Sequence, residues 1–215
     1  MIADESRPRL PRGVRLREDK VRDRWSWDRL HQMVSRLQQA YRAIGIGKGD
    51  RIAAMMPNMP ENIACMLAAS SIGAIWSSCS PDFGEQGVID RFGQIEPKLF
   101  ITCDAYWYNG KLQDVSAKVR TVEPVLQAPV LVVRYAGDAE ALAASLTDGR
   151  TLEGFIAPFA SKPVDFTPLP FAHPLYILFS SGTTGVPKCI VHSAGGTLLQ
   201  HLKEQQFHSD LKAGD

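Results

Sequence analysis

The chain has almost no net charge: 24 Lys and Arg stand against 23 Asp and Glu, a formal +1. A balance this even argues against an extended nucleic-acid surface, which needs a concentrated basic face. Cysteine is sparse. Cys65, Cys79, Cys103 and Cys189 are scattered, with no C-x-x-C pair, so they read as buried, reduced thiols of a cytosolic protein and predict a cytoplasmic location. The five histidines show no metal-ligand spacing, and no structural metal is expected. No apolar h-region follows Met1, so no signal peptide is expected. Residues 1–24 carry eight Arg or Lys against five Asp or Glu. A transit peptide would be poor in acids, so residues 1–13 read as a flexible, solvated basic arm. Long hydrophobic runs are missing too. The nearest, Asn62 to Pro81, is uncharged but holds five serines, Asn62 and Gly73. It divides better into a helix ending near Ile72 and a strand at Ala74–Ser77 than into a membrane span.

What is present is 45% hydrophobic and 22% charged, as in globular proteins. Val14–Arg17 and Val21–Trp25 flank an acidic turn at Glu18-Asp19 and read as a hairpin. Ser26 is a good N-cap, and Leu30, Val34, Leu37, Tyr41 and Ile44 follow at helical spacing until Gly45 and Gly47. Strands are expected at Ile52–Met56, Leu99–Thr102 and Val130–Val133. Helices are expected from Glu61 to Ile72, through Val88, Phe92 and Ile95 up to Pro97, and over Asp138–Leu146. Residues 157–174 are rich in proline and read as a linking loop. Strands alternating with helices predict an α/β fold, with a mostly parallel sheet flanked by helices.

The most informative stretch is residues 180–188, Ser-Ser-Gly-Thr-Thr-Gly-Val-Pro-Lys. Glycines let the backbone aim N–H groups at one point, hydroxyls add donors, and lysine adds a compact positive charge. That is the chemistry of a phosphate cradle. It is not a Walker A loop: Lys188 follows Pro187 rather than glycine, and Cys189 stands where a magnesium-binding Ser or Thr would be. The flanks, Leu175–Phe179 and Cys189–His192, both read as strands, and the next helical pattern waits until about Gly195, around Leu198, Leu199 and Leu202. No helix dipole backs the loop, so binding would fall to its backbone, its hydroxyls and Lys188, with Pro187 stiffening the exit. A plain Gly/Ser/Thr hairpin is the bland alternative.

The nonapeptide resembles the phosphate-binding signature of the adenylate-forming (AMP-binding) superfamily, which includes acyl-CoA synthetases, luciferases and peptide-synthetase adenylation domains. Residues 76–84, WSSCSPDFG, with 90–98, DRFGQIEPK, and 108–111, YNGK, look like the acetoacetyl-CoA synthetase family within it. The resemblance runs from about Val14 to the last residue. It implies that residues 14–215 are part of the large N-terminal domain of an adenylate-forming enzyme, incomplete as it stands. It also implies ATP, Mg2+ and coenzyme A as substrates or cofactors, and acetoacetate as the acid activated. Ser181, Gly182, Thr183, Thr184, Gly185 and Lys188 would hold the ATP phosphates. The family's adenine and ribose motifs, hinge and small C-terminal domain with its adenylation lysine have no counterpart here. The resemblance therefore gives no complete catalytic set in this chain and implies that 215 residues alone are inactive, with the missing C-terminal portion as their partner.

By the same resemblance Asn109, Gly110 and Lys111 match a basic, glycine-rich stretch that contacts coenzyme A. The family carries an arginine where Asn109 stands. A turn with an exposed lysine explains them equally well. Trp76, Cys79, Asp82 and Phe83 suggest a substrate pocket, but a buried strand end followed by a capped helix suits them better. His192 reads as a satisfied structural histidine. Two other functions stay open: a truncated, non-catalytic remnant that binds nucleotide weakly, and a synthetase for another short acyl chain.

Overall fold

The computed structural model describes residues 13–18, 21–180 and 185–212, with side chains from Asp23 onward. Residues 1–12 of the basic arm expected over 1–13, Asp19 of the acidic turn, Lys20, residues 181–184 and the last three residues lie outside these, and Gly13 opens the first strand. Two strands open the chain, β1 (Gly13–Glu18) and β2 (Val21–Ser26), paired antiparallel as the hairpin pattern predicts. Ser26 then caps α1 (Trp27–Ala43), its Oγ accepting from the Arg29 N–H at 3.1 Å. The apolar stripe Leu30, Val34, Leu37 and Tyr41 is buried as its spacing requires. Gly45, at φ +78°, takes the left-handed turn after the helix, a conformation that glycine adopts without strain.

The central unit alternates strand and helix: β3 (Arg51–Met55), α2 (Pro60–Ser71), β4 (Ile75–Cys79), α3 (Glu85–Phe92) and β5 (Leu99–Cys103). A small hairpin follows, β6 (Ala105–Tyr108) and β7 (Lys111–Asp114), then α4 (Ser116–Leu126), β8 (Val130–Val133), α5 (Ala139–Ala144), β9 (Gly149–Thr151) and α6 (Leu152–Ile156). The chain closes with β10 (Pro174–Phe179), β11 (Cys189–Ser193), α7 (Ala194–Lys203) and a π-helical turn at Glu204–His208. The main sheet has seven strands in the order β11-β10-β4-β3-β5-β8-β9. All neighbours in it are parallel except β10 and β11. The expected mostly parallel α/β sheet is therefore observed.

Its central strands are apolar on both faces, because helices cover both. Ile52, Ala53, Ala54, Met55, Phe100 and Ile101 are all fully buried. From β3 the chain steps to β4 on one side, then crosses back to β5 and on to β8. Right-handed crossovers place α2 on one face and α3 and α4 on the other. The packing agrees: α1 lies on α2, and α3 on α4. The uncharged run from Asn62 to Pro81 divides into α2 and β4 as expected, and among the described residues no helix is long and apolar enough to cross a membrane.

Several boundaries move. Helix α3 ends at Phe92, not at Pro97, and Ile95 is buried in the turn that follows. The proline-rich segment carries no strand or helix up to Pro174, where β10 begins, yet it is no loose connector. It lies along α1 as a strap. Buried Ser35 donates to the Lys162 carbonyl at 2.6 Å and accepts the Lys162 N–H at 2.9 Å. Buried Gln38 donates to the Asp165 carbonyl at 3.0 Å and accepts its N–H at 3.1 Å. Side chains thus stand in for a strand partner and satisfy a backbone that has no ladder. Gln38→Leu strands the Asp165 N–H, and it should lower stability by about 1–3 kcal/mol. Thermal melting should fall by roughly 3–10 °C, and a melting temperature unchanged within error would remove the strap from the folding account.

Candidate functional site

The parallel strands β3, β4, β5 and β10 all end at the same edge of the sheet. Crossovers leave that edge toward opposite faces from β3 and from its two neighbours. The crevice so formed is where open α/β sheets bind ligands. Both of the sequence-derived candidate sites come to this edge.

The first is the loop between β10 and β11. Ser181, Gly182, Thr183 and Thr184 lie outside the described residues. The base of the loop is defined by its two ends. The Ser180 N–H donates to the Lys188 carbonyl at 3.1 Å, and the Lys188 N–H donates to Ser180 Oγ at 3.1 Å. Gly185, at φ +107°, turns the chain in a region that L side chains rarely adopt. Pro187 is buried and Lys188 exposed, so the exit is anchored while the ammonium group faces solvent. Strand β10 is itself fixed to β4: Tyr176 pairs with Trp76, and buried Ser77 donates its hydroxyl to the Ile177 carbonyl at 2.7 Å. As expected, a strand rather than a helix follows the loop. Helix α7 begins only at Ala194, capped by Ser193.

Two expectations for this region are overturned. Cys189 is exposed, unlike buried Cys65 and Cys103, because it opens β11 at the border of the sheet. His192 is exposed as well and not a buried structural histidine. The cause is the same. Strand β11 is the border strand of the sheet, and α7, which lies beside β10 and β11, buries no residue although Leu198, Leu199 and Leu202 share it.

The second, the Asn109–Lys111 turn of the β6–β7 hairpin, does not itself line a cavity, but its hairpin stands beside one of about 430 Å³ at the ends of β3 and β4. The cavity walls include Asn58, Asn62, Ser78, Cys79, Asp82 and Tyr106. So Cys79 and Asp82 do line a pocket, whereas Trp76 is buried in the sheet and Phe83 lies under the Arg91 guanidinium, 4.1 Å from its ring centroid. Asn62 Oδ1 is buried there without a hydrogen-bond partner, an acceptor that a bound donor would satisfy. Lys118 of α4 holds the floor by donating to the Pro81 carbonyl at 2.6 Å. Asn109 and Gly110 form the hairpin turn, with φ of +48° and +74°. Positive φ at both central residues is what a tight two-residue hairpin needs, and Asn-Gly is the pair that best supplies it. Lys111 is exposed at the turn.

Burial, with the hydrogen bond to Asp82 adding, pushes the Tyr106 phenol from its ordinary 10.0 up to about 12. The fold therefore holds the neutral phenol. Its stabilisation is complete below pH 10.0 and is lost as pH rises through about 12. Tyr106→Phe should remove that share of the alkaline decline, while Tyr41 and Tyr176, also raised by burial, keep theirs. Urea unfolding of both proteins on either side of the ordinary tyrosine value measures it; parallel pH curves would contradict the assignment.

Sequence reading passed over four residues at this edge. Ser77 was read only as the end of a strand and Gln94 only as part of a helix, both within stretches quoted for their likeness to a family. Asn62 lay in a run weighed for membrane character. Tyr106 belonged to a strand with no pattern of its own. Ser77, Gln94 and Tyr106 act through partners distant in sequence, and Asn62 through a cavity built from separate segments, which spacing does not reveal.

Comparison with known proteins adds a consistent picture. The profile of the AMP-binding enzyme family matches residues 7–215. The acetoacetyl-coenzyme A synthetase of Rhizobium meliloti (strain 1021) is 70% identical over 198 residues, covering 92% of this chain and 30% of that protein. The malonamoyl-CoA synthetase of Penicillium aethiopicum is 43% identical over 206 residues, covering 92% of this chain and 28% of that protein. Among solved structures, the acetoacetyl-CoA synthetase from Streptomyces lividans aligns with a TM-score of 0.82 at 37% identity, over 91% of this chain and 29% of that one. The chain thus spans about three-tenths of the length of these relatives.

Proposed function

We propose, from the premise that this chain belongs to the AMP-binding enzyme family, that it is the phosphate-binding part of an ATP-dependent acid–thiol ligase acting on acetoacetate. In the first half-reaction a carboxylate oxygen of acetoacetate attacks the α-phosphorus of ATP, and pyrophosphate leaves. In the second, the thiol of coenzyme A gives up its proton and attacks the acyl carbon, and AMP leaves. The observation that carries the reading is the fixing of Lys188 at the ligand-binding edge of the sheet, by its paired hydrogen bonds with Ser180. Its charge and the donors of Ser181, Gly182, Thr183, Thr184 and Gly185 would stabilise the β- and γ-phosphates as pyrophosphate departs.

A magnesium ion would arrive on the triphosphate and spread its negative charge. Coenzyme A is assigned to the hairpin cavity, with Lys111 facing a phosphate and Asn62 Oδ1 taking an N–H donor. The free thiols of all four cysteines support a cytoplasmic setting.

Acetoacetate is preferred because the 70% identical relative is named for it. A synthetase of another short acid is the second reading, since a relative named for malonamoyl-CoA is still 43% identical over the same region. The test is acyl-CoA formation by two proteins. One is this chain alone, which is expected to form none, because it spans only 30% of the Rhizobium protein. The other is a chimaera in which this chain replaces the matching 198 residues of that protein. The chimaera should form acetoacetyl-CoA. A folded chimaera that forms none would favour the non-catalytic remnant, and turnover by the isolated chain would overturn the need for a further portion.

A further inference from the structure

The stretch 90–98 takes no part in the reading above, yet one of its side chains reaches the phosphate loop. Gln94 follows the end of α3. Its Nε2 donates to the Pro187 carbonyl at 2.9 Å and to the carbonyl of Asp90 in α3 at 2.5 Å. Its Oε1 accepts from the Cys189 thiol at 3.7 Å. Pro187 and Cys189 are the residues on either side of Lys188. A single amide therefore brackets the lysine, while the lysine's own backbone is closed onto Ser180 from across the loop. The amide has a rigid seat. Two residues earlier, fully buried Phe92 packs on Phe100 of β5 and edge-on against Phe179 of β10, with centroids 6.0 and 6.5 Å apart. Helix α3 and the strand feeding the loop thus share one packed contact, and Gln94 carries that alignment to the loop's exit.

We propose that Gln94 is a positioning residue, which holds Lys188 in register for the ATP phosphates without touching them. The proposal rests on the phosphate-loop reading of Lys188. A charge aimed in advance stabilises a developing anion without reorganisation during the reaction, so a looser exit should show in ATP handling first. Gln94→Met keeps the length of the side chain and removes both the donor and the acceptor of the amide.

The experiment measures acetoacetate-dependent pyrophosphate exchange in the chimaera, for Gln94→Met, Lys188→Ala and the double variant. Gln94→Met should lower kcat/KM for ATP by about tenfold, change the KM for coenzyme A in the full reaction by less than about twofold, and melt near the parent temperature. On the Lys188→Ala background it should add almost nothing, the non-additivity expected of residues that act as one unit. Should Gln94→Met melt below the assay temperature, Gln94→Glu serves instead: it keeps the acceptor for Cys189 but has no donor for the Pro187 carbonyl. Wild-type kinetics toward ATP, or an equal loss with and without Lys188, would overturn the proposal while leaving the loop's role intact. An inert Lys188→Ala would bring down the phosphate-loop reading itself and Gln94 with it.

Discussion

Lys188→Ala in the chimaera is expected to slow acetoacetate-dependent pyrophosphate exchange by about a hundredfold or more, the usual consequence of removing one preorganised charge or donor from a developing anion. In the proposed reaction pyrophosphate leaves as a highly charged group, and Lys188 is held by its backbone at the edge where open α/β sheets present ligands. Among the described residues, both hydrogen bonds that place Lys188 are made by its backbone and none by the ammonium group. Truncation should therefore spare melting behaviour and strike the chemistry. Lys188→Arg keeps the charge but spreads it over a planar fork, so it should restore only part of the rate. Exchange kinetics beside a melting curve separate the two effects, and an unchanged rate would take Lys188 out of the mechanism.

The second large effect is on stability. Phe92→Ala should destabilise the chain by about 3–5 kcal/mol, as deletion of a buried aromatic ring does. Phe92 is fully buried and packs on both Phe100 and Phe179. Its loss opens a void between α3, the central strand β5 and the strand that feeds the phosphate loop. For a chain of this size, melting should fall by roughly 6–20 °C. Phe92→Leu, which fills most of the void, should recover much of that. A shift of only a degree or two in Phe92→Ala would mean that α3 is seated by other contacts, and the rigid seat argued for Gln94 would lose its basis.

Much of the fold was legible because the buried strands and capped helices announce themselves locally. Ser26 before a 3–4 spaced apolar stripe, and the unbroken apolar runs at β3, β5 and β8, led to the right elements. Helix α4 was missed although Val115, Val119, Val122 and Leu126 repeat at helical spacing. Its N-cap, Val115, makes no capping bond, and Pro124 sits inside it, so the usual boundary signals were absent. Strand β9 and helix α6 are too short, at three and five residues, to show a period. The strap was read as a linker because proline content says nothing of partners. What holds it is Ser35 and Gln38, 127 residues away from Lys162 and Asp165 in sequence.

The site divides the same way. The loop's glycines, hydroxyls and lysine are contiguous, so a phosphate-cradle reading could be proposed from the sequence alone. The Asn-Gly turn could be read as well, since its backbone requirement is local. The clamp at Gln94, the seat at Phe92 and the cavity between Asn62 and Tyr106 are assembled across the sheet edge and exist only once the strands are ordered. The exposure of Cys189 and His192 was equally unreadable. An apolar strand looks buried in sequence whether or not anything covers it.

The most direct test of the whole account is exchange of radiolabelled pyrophosphate into ATP by the chimaera in the absence of coenzyme A. The account predicts exchange that requires acetoacetate, proceeds without the thiol and falls at least about a hundredfold in Lys188→Ala. A folded chimaera whose exchange is absent, or is indifferent to Lys188, would contradict it.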